Sequence, residues 1–404
     1  MERIFKDSRT IQRYRSSPLG PYIERLAERL CQQGYAREQA QRHLFAVEDF
    51  GRWLQRGRIA LRDVTLADAR RYLRLRHRWK RHGASLALKR LLEMLAQEGH
   101  ISPVNAPKTE PELVVHSFGN YLREERALVR RTINNRKTIV TAFLGQKFGK
   151  RPINLSNIEA KDLIGFVQQE AARRRNSIKT VETSLRSFMR YLLFVGRINR
   201  DLSIAIPSAP NRRFVGIPRH LAAHHVRRVL ASCNQRTRTG RRDYAILLLL
   251  ARLGLRGGEV EAIRLDDIDW ITGTLTVHGK GGKVHQLPLL QDVGKAIGHY
   301  LRKDRRPSPD RRIFQHVWAP HAGLNRSVGS IVRFALERTG VQSTSKGSHQ
   351  FRHTIGTQLL AKGASLAEIG EVLRHESPDT TFIYAKVDLG ALRPLARRWP
   401  GGVL

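Results

Sequence analysis

Four residues near the end of the sequence have the side chains needed to break a phosphodiester bond. His349 and Arg352 lie three residues apart and so share one helix face, and His375 and Tyr384 follow. A phenol can attack phosphorus, a guanidinium can hold phosphate oxygens, and an imidazole can move a proton. Each of these residues is more often structural when it occurs alone. The hypothesis of a catalytic site therefore depends on their order and on what lies upstream.

A further arginine precedes them at a predicted break between two helices. Residues 244–251 form an apolar run that predicts a buried helix, and Gly254 marks its end. Arg256 follows at the start of the next predicted helix. A guanidinium beside free backbone N–H groups makes an anion site. Glu259 can either pair with an arginine here or cap the helix.

A lysine completes the candidate set on a predicted β-hairpin. Within residues 274–288, β-branched residues alternate on both sides of a glycine-rich turn. Lys280 lies on that turn, where a mobile ammonium can protonate a leaving oxygen. Lys283, on the same turn, is a competing candidate.

The order arginine, lysine, His-x-x-Arg, histidine, tyrosine resembles the tyrosine recombinase (phage integrase) family. The resemblance covers about residues 110–390, and six positions in order are far more specific than one motif. The matching pieces are residues 253–256, 279–281, 349–353, 373–375 and 380–384.

The resemblance implies a nucleophile and the groups that move protons. Tyr384 would attack the scissile phosphate and form a 3′-phosphotyrosyl bond, while Lys280 protonates the departing 5′-oxygen. His349 would assist proton transfer at the tyrosine. Because the covalent link conserves the bond energy, the reaction implied needs no ATP, metal or other cofactor.

The resemblance also implies the groups that hold the phosphate. Arg256 and Arg352 would bind the non-bridging oxygens as negative charge develops, and His375 would donate a hydrogen bond to the phosphate. One neighbour departs from the family pattern, because Arg374 stands where glycine is usual. This departure predicts either crowding of the phosphate or an added contact to it.

The predicted fold is mainly α, with a small β-hairpin or sheet in the C-terminal domain. Residues 1–105 read as an extra helical module, residues 110–205 as a helical core-binding domain, residues 206–218 as a proline-rich linker and residues 219–404 as the catalytic domain with a C-terminal tail. The resemblance implies a SAM-like core-binding domain and a mixed α/β catalytic domain. The extra module would bind arm-type DNA, extend the core clamp or contact sister subunits.

Individual residues give more detail about the predicted helices before residue 206. Residues 1–20 are polar and basic, which predicts a loose arm. Thr65 and Ser156 are the predicted N-caps of two helices. The order of cues is similar in both helical segments, which indicates either an internal duplication or a chance likeness between two short four-helix bundles.

The charge of the chain predicts its partner. Lys and Arg number 73 against 35 Asp and Glu, a formal net charge of +38. Nucleic acid is the leading partner, because basic side chains gain affinity by releasing phosphate counterions. A membrane surface would require a basic amphipathic anchor or a lipidation motif, and neither is found. The two cysteines and the lack of an apolar leader predict a reducing location, namely bacterial cytoplasm with nucleoid-associated DNA.

These features together predict a site-specific recombinase or integrase that acts on double-stranded DNA at specific sites, as the resemblance implies, in a homo- or hetero-tetramer. The extra module favours a mobile-element enzyme over dimer resolution. Three rivals stay open: a non-catalytic DNA-binding relative, a type IB topoisomerase, and a metal-dependent nuclease using Asp266, Asp267 and Asp269. The tail from Leu389 to Leu404 either docks on a neighbouring subunit or packs on its own domain.

The charge leads to a prediction about salt. Duplex DNA binding should weaken steeply between about 50 and about 200 mM salt, because each phosphate contact releases condensed counterions. Fluorescence anisotropy of a labelled duplex, titrated at several salt concentrations, measures the slope. A flat affinity across this interval would contradict a basic DNA-facing surface.

Overall fold

The computed structural model describes residues 1–75, 83–102, 109–149, 151–173, 178–208, 220–279, 282–343 and 347–387. Lys280, most of the predicted linker and the tail from Leu389 lie outside these residues. Contacts between Cα atoms divide the chain into two compact units. One contains residues 1–57, 72–88 and 214–404, and the other contains residues 58–71 and 89–213.

Five helices precede the first predicted linker. Residues 8–15, predicted to lie in a loose arm, form the first of them, so that prediction is wrong. The Asp7 carboxylate accepts hydrogen bonds from the first-turn N–H groups, and Ile11 and Tyr14 are buried, which holds this short helix in place. The predicted Thr65 cap is confirmed, because Thr65 and Asp68 each bind the other's backbone N–H. The helices are α1 (Ser8–Arg15), α2 (Gly20–Gln32), α3 (Arg37–Arg56), α4 (Leu66–Leu75) and α5 (Ala84–Gln97).

Four helices follow, and their shared core is rich in aromatic rings. Phe118 packs edge-on against Phe188, and Phe143 packs edge-on against Phe166. The predicted Ser156 cap is wrong, because its hydroxyl donates to the Asn154 side chain within a short 3₁₀ turn. The helix begins later, where the Asp162 carboxylate accepts from the Glu159 N–H. The helices are α6 (Glu110–Glu124), α7 (Arg130–Phe148), α8 (Ala160–Arg173) and α9 (Ile178–Phe194).

The C-terminal segment contains seven α-helices and a sheet within its described residues. The predicted hairpin is confirmed as β2 (Thr274–His278) and β3 (Val284–Pro288), and β1 (Ile268–Asp269) adds an antiparallel edge in the order β1-β2-β3. The helices are α10 (Ala223–Ala231), α11 (Arg238–Leu253), α12 (Gly257–Ala262), α13 (Gln291–Lys303), α14 (Val328–Arg338), α15 (His349–Ala361) and α16 (Leu366–Val372).

Helix α11 is the centre of this segment. Its residues from Ala245 to Leu250 are all buried, and it contacts α10, α12, α13, α14 and α15. A helix that is apolar on every side is stable only when other elements surround it. The ends of α11 and α15 therefore have fixed positions, and both carry candidate site residues.

In the described part of the chain, every helix falls short of the length or the hydropathy that a membrane span requires.

Candidate active site

Arg352 is buried against the end of α11. Its side chain is 4% exposed, and its Nη1 donates to the Gly254 carbonyl at 2.8 Å. Gly254 has φ +59°, and a Cβ there would lie 3.0 Å from Leu373, so this turn requires glycine. Burial and then repulsion by Arg256 and Arg374 lower the pKa of Arg352 to about 9. Its Nη2 is buried without a hydrogen-bond partner among the described residues, which leaves a donor available for an anion.

Arg256 lies two residues further on, at the N-terminus of α12, as the sequence predicted. Its Nη1 donates to Glu259 Oε1 at 2.7 Å, and its backbone N–H donates to Oε2 at 2.8 Å. Burial favours a raised pKa for Glu259, but hydrogen bonds and charge from Arg256 outweigh it and hold the pKa below its usual value. Glu259 therefore stays ionised and fixes the guanidinium of Arg256.

His375 follows α16, whose N-terminus is capped by the Ser365 side chain. The His375 Nδ1 lies 2.7 Å from the Thr381 hydroxyl, which fixes the orientation of the ring. Burial, with the charges of Arg352 and Arg256, lowers the pKa of His375 to about 4. The ring is therefore neutral at physiological pH.

Tyr384 is 1% exposed and begins a short 3₁₀ helix, Tyr384–Val387. Its hydroxyl lies 3.1 Å from His353 Nδ1, and its ring stacks parallel to that of His375 with 6.4 Å between centroids. Burial raises the pKa of Tyr384 to about 12. Burial, together with the neighbouring His349 and Arg352, lowers the pKa of His353 to about 4. A protonated phenol thus faces a neutral imidazole.

His349 is on the same helix as Arg352, with part of its ring exposed to solvent. Partial desolvation and then the charges of Arg352 and Arg256 lower its pKa, and the residue lies one helical turn before Arg352 and His353. Five of the six predicted site residues therefore share one cluster. The sixth, Lys280, lies outside the described residues.

The described ends of the hairpin turn lie close to this cluster. The Gly279 N–H donates to the Lys283 carbonyl at 2.7 Å, which joins the two described ends of the turn. A cavity of about 660 Å³ lies between this hairpin and α16, and Lys283, His285, Arg374 and His375 are among its lining residues. Lys283 therefore reaches the same space as His375.

The three aspartates of the metal-dependent alternative have separate partners. Asp266 pairs with Arg311, Asp267 binds the Arg264 N–H and the His278 ring, and Asp269 caps the following turn. No group of three His, Cys, Asp or Glu side chains with metal-ligand geometry occurs within the described ranges.

Two features of the site were missed or left open in the sequence. His353 was not among the candidates, although it follows His349 by four residues and so faces the same way. Arg374, the departure from the family pattern, is 8% exposed and contacts Glu259 at 3.5 Å. Nothing in the sequence next to Arg374 indicated its contact with Glu259.

Comparison with known proteins decides the family. The model of the phage integrase family matches residues 219–389. A protein of Sinorhizobium fredii (strain NBRC 101917 / NGR234), provisionally named integrase/recombinase y4rA, is 42% identical over 390 residues and covers 95% of each chain. The chain belongs to the phage integrase family. The predicted class, a tyrosine-type site-specific DNA recombinase, is thereby confirmed.

Other phage integrase relatives agree with this assignment. The tyrosine recombinase XerD of Listeria monocytogenes serotype 4b (strain F2365) is 27% identical over 282 residues, covering 68% of this chain and 94% of its own. The XerH recombinase in a post-cleavage complex with its palindromic difH substrate superimposes with a TM-score of 0.55 at 18% identity, over 76% of this chain and 93% of its own. A λ integrase fragment bound to a core site superimposes with a TM-score of 0.52 at 16% identity, over 72% of this chain and 98% of its own. These likenesses confirm the predicted fold.

The close fit around Tyr384 leads to a first prediction. A Cβ on Gly356 would lie 2.3 Å from the Tyr384 Cζ and 2.7 Å from its hydroxyl oxygen. Gly356→Ala should displace the phenol and slow covalent DNA cleavage by about a hundredfold, as expected for a displacement of about 1 Å. Gly329→Ala is the matched control, because a Cβ on that α14 residue meets nothing within 4 Å. Equal single-turnover cleavage rates for the two variants would contradict this packing.

The lowered pKa of His353 leads to a second prediction. The ring titrates near 6.5 in the unfolded chain and near 4 in the folded one. As the pH falls from about 6.5 to about 4, the unfolded chain binds the proton first, so folding loses stability. His353→Asn should lose less free energy of unfolding than the wild type between about pH 7 and about pH 4.5. Urea denaturation at both pH values measures this, and equal losses would show that His353 does not have a lowered pKa.

Proposed function

We propose that this phage integrase family member cuts and rejoins double-stranded DNA at specific recombination sites, with Tyr384 as its nucleophile. The observation that carries the proposal is the buried phenol of Tyr384, hydrogen-bonded to His353 beside Arg352, whose Nη2 is a buried donor with no partner in the described part of the chain. A nucleophile, a proton acceptor and an anion site thus lie in one preformed cluster.

Cleavage begins with transfer of the Tyr384 proton. The phenol is protonated at neutral pH, and the neutral His353 ring accepts its proton as the oxygen attacks phosphorus. The bond from phosphorus to the 5′-oxygen breaks, and a 3′-phosphotyrosyl bond takes its place. We assign this role to His353 and not to His349, because His353 has the hydrogen bond to the phenol.

Three cationic or polar groups hold the phosphate during this step. Arg256 and Arg352 bind the non-bridging oxygens, and His375 donates a further hydrogen bond. Negative charge on these oxygens increases in the transition state, so arginines already fixed by Glu259 and by the Gly254 carbonyl stabilise it without rearrangement. His349 lies one helical turn before Arg352 on α15, and we assign it a supporting polar role in the site.

Lys280 is the proposed acid for the departing 5′-oxygen. The assignment rests on the sequence match at residues 279–281 and on the closed turn between Gly279 and Lys283. Lys283 is the alternative, because it lines the cavity beside His375. Rejoining reverses the step, since a 5′-hydroxyl of another strand attacks the phosphotyrosine and regenerates Tyr384. Cleavage and rejoining as written here use neither ATP nor a metal ion.

The assembly follows from the same reaction. Exchange between two duplexes requires four active sites, so a homo- or hetero-tetramer on two DNA sites is the proposed working form. XerH and λ integrase have been solved bound to DNA, which supports a duplex partner. We place the reaction on nucleoid DNA in the bacterial cytoplasm.

The proposed domains divide the work. Residues 110–205 would bind the core of the site, residues 206–218 would cross the backbone as a linker, and residues 219–404 would cut it. The tail from Leu389 would dock on a neighbouring subunit or pack on its own domain. The extra module of residues 1–105 favours a mobile-element role, through arm-type DNA, a wider clamp or sister subunits.

A trapping assay tests the proposal. Purified protein is incubated with randomised duplexes that have a nick in one strand, so that cleavage releases a short fragment and prevents rejoining. Wild type should form covalent adducts in EDTA that survive a denaturing gel, and their sequences would reveal the preferred site. Tyr384→Phe should form none, because it lacks the attacking oxygen.

The same assay separates the alternatives. Strand cutting that leaves no adduct and stops in EDTA would favour a metal-dependent nuclease, and neither cutting nor adduct would favour a non-catalytic DNA-binding protein. Adducts formed without sequence preference, together with plasmid relaxation and no strand exchange, would identify a topoisomerase. Adduct formation by Tyr384→Phe would exclude Tyr384 as the nucleophile.

A further inference from the structure

Arg374 has a backbone conformation that favours glycine. Its φ is +54°, in the left-handed region, where a side chain costs conformational energy. Glycine would adopt this conformation without that cost. The side chain is nevertheless only 8% exposed, so it is held inside the protein by its own contacts.

These contacts reach two helix ends and one carboxylate. The guanidinium Nη1 donates to the carbonyl of Val372 at 3.2 Å and to that of Leu253 at 3.5 Å, and Nη2 also lies 3.5 Å from the Leu253 oxygen. Val372 and Leu253 are the last residues of α16 and α11. Carbonyls at a helix C-terminus lack intrahelical partners and attract positive charge, so Arg374 satisfies both ends at once.

The carboxylate is the one that holds Arg256. The Arg374 Nη2 lies 3.5 Å from Glu259 Oε2, the same oxygen that accepts from the Arg256 N–H. Leu253 precedes Gly254, whose carbonyl holds Arg352. One side chain on the His375 segment therefore contacts the carboxylate that holds Arg256 and the residue that precedes the carbonyl holding Arg352.

We propose that Arg374 is a positioning residue that fixes the His375 segment against Glu259 and the end of α11. Both terminal nitrogens are engaged with protein oxygens, and only Nε is buried with no partner among the described residues, so we assign the residue a role through these contacts. Without it, His375 would be free to shift relative to Arg256 and Arg352, while the DNA-binding surfaces stay intact. This inference rests on the proposed function of the site.

Single-turnover cleavage of the nicked duplex by the full-length protein tests the inference. Arg374→Gly removes the contacts and relieves the left-handed strain, so the fold should be retained. We expect the cleavage rate at saturating protein to fall by about tenfold or more, with a dissociation constant for DNA within about twofold of wild type. Arg326→Gly is the matched control: Arg326 is exposed, has φ +57° and would lose the same charge and strain, so its rate should not change.

A double-mutant cycle tests the path through Glu259. If Arg374 acts through this carboxylate, Arg374→Gly should slow a Glu259→Gln protein much less than it slows the wild type. If the two substitutions slow cleavage independently of each other, Arg374 does not act through Glu259. A wild-type cleavage rate for Arg374→Gly, or weaker DNA binding with an unchanged rate, would overturn the positioning role. Wild type would form adducts in each of these cases, whereas failure of the proposed function would abolish them in wild type as well.

Discussion

The catalytic cluster depends on one buried carboxylate among three arginines. Glu259 accepts two hydrogen bonds from Arg256 and lies 3.5 Å from Arg374, while Arg352 is bound by a carbonyl close to the same turn. Burial of Arg352, and then repulsion from the like charges of Arg256 and Arg374, is the physical reason for the lowered pKa of Arg352. One carboxylate does not neutralise three guanidiniums. The site therefore lacks negative charge until an anion binds, and in the proposed reaction a phosphodiester supplies it.

The fold sets this charge arrangement through helix ends. Residues 245–250 of α11 are apolar and fully buried, so Gly254 and Arg256 just beyond the end of this helix have little freedom to move. Helix α15 packs on α11 and brings Arg352 to the Gly254 carbonyl, while His353 on the same helix reaches Tyr384. Because the polar side chains bind free backbone groups at these ends, the same contacts satisfy the helices and orient the site.

The order of the candidate site residues could be predicted from the sequence, but the contacts between them could not. Local periodicity and turn residues were enough to predict three features correctly. These are the helix start at Arg256, the hairpin, and the helix shared by His349 and Arg352. The bond between Arg352 and Gly254 spans 98 residues, and that between His353 and Tyr384 spans 31. Such pairs depend on tertiary packing, which has no local signature. The helix at residues 8–15 was missed for the same reason, because burial of Ile11 and Tyr14 stabilises a segment that is polar by composition.

In the proposed reaction, the phenol oxygen of Tyr384, buried and hydrogen-bonded to His353, forms the covalent link to DNA. Mass spectrometry of a trapped adduct, after digestion with protease and nuclease, tests this most directly. We expect a single modified peptide containing Tyr384, joined through its oxygen to the 3′-phosphate of a deoxynucleotide. A modification on any other residue, or a link to a 5′-phosphate, would contradict it.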